Sequence, residues 1–153
     1  MELKTKIRAQ EGQQELFITR EFDLPVRLLF RAYTESTLVE QWMGTQVIKL
    51  EAKKHGSYLF ETTDPIGNKH VFHGTIHEYI PDQKIIRTFE MANTSFPAQL
   101  EFLEFVPITP DTCQLTIQII YRSVSVRDQM LKLPFAQGLN MAHNRLEQIV
   151  KQL

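Results

Sequence analysis

"KHVFHGTIHEYI", residues 69–80, carries histidines at 70, 73 and 77, and its secondary structure decides what they can do. A helix would bring His73 and His77 together, as a metal pair needs. A strand would spread them apart. Val71, Phe72, Thr75, Ile76, Tyr79 and Ile80 are strand-favouring residues. Gly74 would weaken a helix by ~1 kcal/mol relative to Ala. The residue types predict a strand. On it His73 and His77 share a face ~13 Å apart, at ~3.3 Å per residue. A zinc ion with bonds of ~2.0–2.1 Å to nitrogen cannot bridge them, and His70 points the other way. The sequence predicts no metal site and no cofactor.

Working outward, the period-2 pattern extends from about residue 46 to 122. "QVIKLEA", "SYLFETT", "KIIRTFEM", "QLEFLEFV" and "CQLTIQIIYR" are further strands of an antiparallel meander. "DPIGN" (64–68) and "PDQ" (81–83) read as hairpin turns, and "PITPD" (107–111) as a longer loop. Upstream, "ELFITREF" (15–22) is a strand and Pro25 suits the first turn of a helix carrying Val26, Leu29, Phe30 and Tyr33. Thr34 can cap a second short helix, with Leu38, Val39 and Trp42 on one face and Gly44 as its stop. Downstream, Ser125 with Asp128 resembles a capping box for a short helix to about Lys132. Pro134 then opens a long helix whose apolar face comprises Phe135, Leu139, Ala142, Leu146, Ile149 or Val150, and Leu153. A run of strands with helices segregated outside it is α+β.

The totals bound the function. At 153 residues the chain suits one domain over 1–153, with 1–14 as an N-terminal extension or extra strand. Net charge is -1, which leaves no field of one sign to hold nucleic acid or an anionic membrane surface. Cys113 is the only cysteine, so a reducing compartment fits. The charged opening "MELKTKIRAQEG" lacks the apolar run of a signal peptide, and no stretch approaches the ~20 apolar residues of a membrane span. A cytoplasmic, soluble protein is expected. No phosphate loop, nucleophile elbow or HExxH is present.

The order of features resembles a known family. Pro25, Phe30, Ala32-Tyr33-Thr34, Leu38 and Trp42-Met43-Gly44 are similar to the opening of the activator-of-heat-shock-protein-90-ATPase-homologue-like proteins. These belong to the START-like (SRPBCC) helix-grip superfamily. Gly56, Tyr58 and Phe60, then Gly74, Glu78 and Pro81, then Gly138, Asn140, Arg145 and Leu146 continue the match in order from about 15 to 150. Met43, His55 and Leu139 depart from it, standing where the family has tryptophan, glycine and tryptophan. The resemblance implies a curved antiparallel sheet wrapped around the C-terminal helix, often with an apolar cavity between them.

On that architecture, Tyr33, Trp42, Tyr58, Phe60, Phe72, Ile76, Phe89, Met91, Phe102, Ile117, Ile119, Phe135, Leu139 and His143 are the cavity candidates. They either fill a solid core or border a pocket. Ten Phe, four Tyr and five Met favour an adaptable apolar lining, and Gly138 would allow close approach of sheet or ligand. His143, at the edge of the apolar stripe, Glu78, nominally inward, and Arg87 are the polar-anchor candidates. The expected function is a binder of a small apolar or aromatic ligand, as a monomer or homodimer. The alternatives are a regulator of a chaperone ATPase, carried by the family name alone, and a cyclase- or hydrolase-type enzyme using His143 or Glu78.

Overall fold

A computed structural model describes residues 3–153; Met1 and Glu2, part of the expected extension, lie outside the described residues. The strands are β1 (Lys6–Arg8), β2 (Glu15–Phe22), β3 (Gln46–Leu50), β4 (Ser57–Thr63), β5 (Lys69–Ile80), β6 (Lys84–Met91), β7 (Gln99–Thr109) and β8 (Thr112–Ile120). They form one antiparallel, curved sheet in the order β1-β2-β8-β7-β6-β5-β4-β3. Helices α1 (Val26–Thr34) and α2 (Ser36–Met43) follow β2, while α3 (Val124–Leu131) and the long α4 (Phe135–Val150) close the chain. The arrangement is α+β.

Alternation along the strands sets the inner face. Leu16, Ile18 and Phe22 on β2, Leu103 and Phe105 on β7, and Leu115, Ile117 and Ile119 on β8 are buried together with Leu29, Phe30, Val39 and Trp42 of the first two helices. Residues 69–80 are strand throughout. His70 pairs with Asp64 at 2.9 Å and His73 with Glu90 at 3.6 Å, both near the surface. Among the described residues no three metal-ligating side chains converge, and no helix is long and apolar enough to cross a membrane.

Several local expectations change. Residues 107–111 do not form a long loop. β7 runs to Thr109 and β8 starts at Thr112, so Pro110-Asp111 is a two-residue turn. Glu35, not Thr34, precedes α2, because the Thr34 hydroxyl instead bonds back to the Phe30 carbonyl at 2.9 Å. Ser123, not Ser125, caps α3, its Oγ accepting from the Val126 amide at 3.1 Å. Leu153 lies beyond α4 and is exposed.

Candidate functional site

Two polar centres sit on the inner face of the sheet. The first is closed. Arg20 takes an inward position on β2 between Ile18 and Phe22, and its side chain is fully buried. Its Nη1 donates to Thr5 Oγ1 at 3.2 Å and Asn140 Oδ1 at 3.4 Å, and its Nη2 lies 3.7 Å from Glu147 Oε2. The Thr5 amide also donates to Asn140 Oδ1 at 2.9 Å. His143 completes the knot, with Nδ1 2.9 Å from Thr5 Oγ1 and Nε2 2.9 Å from the Tyr33 hydroxyl. The ring lies edge-on to Phe22 at 5.3 Å and tilted against Trp42 at 6.0 Å.

Burial, helped by the Arg20 charge, pushes the His143 pKa down to about 3, so the imidazole is neutral. One ring nitrogen then donates and the other accepts. His143, the polar-anchor candidate at the edge of the apolar stripe, is 0% exposed, with both ring nitrogens committed to Thr5 and Tyr33. Tyr33 and Trp42 belong to this sealed region too. The Trp42 indole donates to the Ala32 carbonyl at 2.7 Å, and burial raises the Tyr33 pKa. A surface cleft of about 710 Å³ borders the knot at Arg20 and Glu147, and Lys4, Lys6 and Lys151 share its lining with Glu21 and Asp23. It presents no single sign of charge.

The second centre is more open. Arg87 on β6 and Glu101 on β7 are register partners, and Arg87 Nε donates to Glu101 Oε1 at 2.9 Å. Gln99 Nε2 donates to the other carboxylate oxygen at 2.7 Å. The guanidinium lies 5.4 Å from the centroid of the Tyr58 ring. Burial pulls the Arg87 pKa down, but the Glu101 charge outweighs it with help from Tyr58, and the net shift is upward. Burial also raises the Tyr58 and Tyr121 pKa values. The centre is thus one cation, one carboxylate and neutral phenols.

The sheet opens locally here. Ladder pairing runs from Phe72–Met91 to His73–Glu90 and resumes at Ile76–Arg87, leaving a gap opposite Thr88. Tyr58 fills it by donating its hydroxyl to the Thr88 carbonyl at 2.5 Å, while Thr88 Oγ1 accepts from the Thr75 amide at 3.0 Å. Gly74 makes this possible, because a Cβ there would stand 2.0 Å from the Thr88 oxygen.

The remaining candidates divide by position. Tyr58, Phe60, Ile76, Ile117 and Ile119 are buried on the inner face. Phe72, Phe89 and Met91 are only half-buried there, with Phe72 and Phe89 stacked at 5.6 Å. Phe135 and Leu139 of α4 are half-buried as well. Two side chains face away. Phe102 pairs with Ile86 and Gln118, on the opposite face from Glu101 and Leu103. A bulge between Ile76 and Glu78 turns Glu78 outward, where it meets Lys84 at 3.5 Å. Glu78 therefore pairs with neither His143 nor Arg87. Gly138 marks no close approach, since nothing lies within 4 Å of where its Cβ would be. Sequence reading missed Thr5, Arg20, Gln99 and Glu101. Arg20 and Glu101 were signalled only as charged residues at buried-face positions of alternating strands.

Solved structures share this architecture at low identity. Protein Ms6760 from Mycobacterium smegmatis superposes with a TM-score of 0.85 at 20% identity, covering 95% of each chain. A Rhodobacter sphaeroides protein gives 0.86 at 21%, covering 96% of this chain and 99% of its own. An HSP90 activator from Plasmodium falciparum gives 0.57 at 17%, over 71% of this chain and 73% of its own. No curated protein matches the chain. The family model described as activator of Hsp90 ATPase homolog 1-like protein matches residues 23–151, and the chain belongs to that family.

Proposed function

We propose that the chain, acting as one cytoplasmic domain over residues 1–153, binds a small apolar or aromatic ligand between the sheet and the last helix. One observation carries the reading. On the inner face of the sheet, Phe72 of β5 and Phe89 and Met91 of β6 stay half-buried on the same side as Arg87, whose side chain retains 17% of its exposure, and Phe135 and Leu139 of α4 are half-buried as well. Apolar side chains around a few placed polar groups are the usual make-up of a ligand site. Native mass spectrometry of protein purified without denaturation tests it. A small-molecule adduct that denaturation removes is expected. A bare chain mass from every source of expression, with no uptake of added aromatic ligands, would overturn the reading.

A second reading, regulation of a heat-shock-protein-90-type ATPase, draws its support from the family description and the Plasmodium activator's likeness over 71% of the chain. Co-purification with that chaperone and a raised ATPase rate would establish it. Absence of both would remove it.

A further inference from the structure

Resting on the ligand-binding reading, we propose that the ligand's polar end is an uncharged hydrogen-bond acceptor, such as a ketone, ester or amide carbonyl, held by the terminal nitrogens of Arg87. Hydrogen-bond accounting comes first. Arg87 commits Nε to Glu101, and Glu101 commits its second oxygen to Gln99. The Tyr58 and Tyr33 hydroxyls are engaged with Thr88 and His143. Nη1 and Nη2 of Arg87 make no hydrogen bond to a described residue. They are also not among the buried unpartnered atoms, which for the described residues are Nε and Nη2 of Arg20. Bare but accessible, they are the charged donors left over at this centre, beside the Tyr121 hydroxyl, which makes no hydrogen bond to a described residue either. A guanidinium cannot accept, so the ligand must.

Charge decides which acceptor. The cation of Arg87 is already matched by Glu101 2.9 Å away. A ligand carboxylate would feel the attraction of Arg87 reduced by the repulsion of Glu101, yet would still give up much of its hydration. A carbonyl gives up far less hydration and gains a charge-assisted hydrogen bond. Phe89 and Met91 follow Arg87 on the same face of β6, and Phe72 stacks on Phe89 at 24° between ring planes. That wall suits a flat aromatic body.

The test uses the full chain and three naphthalenes of one shape: 2-acetylnaphthalene, 2-naphthoate and 2-ethylnaphthalene, titrated by calorimetry at pH 7. The acetyl compound should bind about 10-fold tighter than either other. Arg87→Met should remove that advantage and leave the ethyl compound within about 2-fold. Because Arg87→Met leaves Glu101 unpaired and could unfold the chain, Glu101→Gln is the second variant. With the carboxylate gone, naphthoate should gain at least about 10-fold relative to the ketone. Naphthoate binding as tightly as the ketone to the unaltered protein would overturn the inference while sparing the binding site. Loss of affinity for all three alike in Arg87→Met would do the same. Binding of none of the three would overturn the ligand-binding reading itself, and this inference with it.

Discussion

The two halves of α4 carry the same kind of apolar stripe but meet different surroundings. From His143 onward, Leu146 and Val150 are as inaccessible as the imidazole, and Glu147 accepts the Asp23 amide at 2.7 Å. Before it, Phe135, Leu139 and Ala142 are half-buried, Met141 is exposed, and Gly138 faces open space. The difference follows from what lies opposite. The sealed half packs on α1, α2 and β2, whose side chains interdigitate with it. The open half leaves Phe135, Leu139 and Ala142 only half-covered, as Phe72, Phe89 and Met91 are on the inner face of the sheet. The same hydrophobic spacing builds core in one place and leaves side chains half-buried in the other.

Substitution along the helix can break this contrast. Leu146→Ala should give the largest effect, a loss of about 3–4 kcal/mol in urea unfolding, because the sealed half cannot collapse into the void. His143→Gln should cost about 1–3 kcal/mol at pH 7, as one of two buried hydrogen bonds is lost. It should also change the acid response. The folded pKa of His143, about 3, lies below its unfolded value near 6.5. The stability this gives is present above pH 6.5 and declines as the pH falls toward 3. The advantage of the unaltered protein over His143→Gln should therefore shrink by about 2 kcal/mol between pH 6.5 and 5. A constant difference across that range would place a charged imidazole in the fold. Leu139→Ala should cost about 1 kcal/mol, since its side chain is already half in solvent. Leu139→Trp should change stability by less than about 1 kcal/mol but reduce ligand uptake in native mass spectra, because Leu139 is only half-buried and the larger ring can extend toward solvent. If Leu139→Trp instead unfolds the chain, the first half of α4 is as tightly filled as the second.

The layout was legible because long segments held one period. Residues 69–80 announced a strand through β-branched and aromatic residues, and the stripe of α4 announced a helix. What escaped was finer than periodicity. Nothing in "GTIHEYI" marks the bulge that turns Glu78 outward, for a bulge shifts the face without altering the composition. In β7, Leu100 and Phe102 alternate with Leu103 and Phe105, so both faces look apolar and Phe102 was assigned to the wrong one. Thr5 and Asn140 are 135 residues apart in the chain, and only the folded sheet makes them partners. Arg87 was visible as a candidate anchor, but its partner depended on the β6–β7 register, which sequence alone left open.

The proposal that a ligand binds between Arg87 and the first half of α4 is tested most directly by NMR, with 2-acetylnaphthalene titrated into labelled protein. The account predicts saturable shifts at Phe72, Arg87, Phe89, Met91 and Leu139, with Leu146 and Val150 unmoved. Shifts confined to the outer face around Phe102 and Glu78, or spread evenly along both halves of the helix, would contradict it.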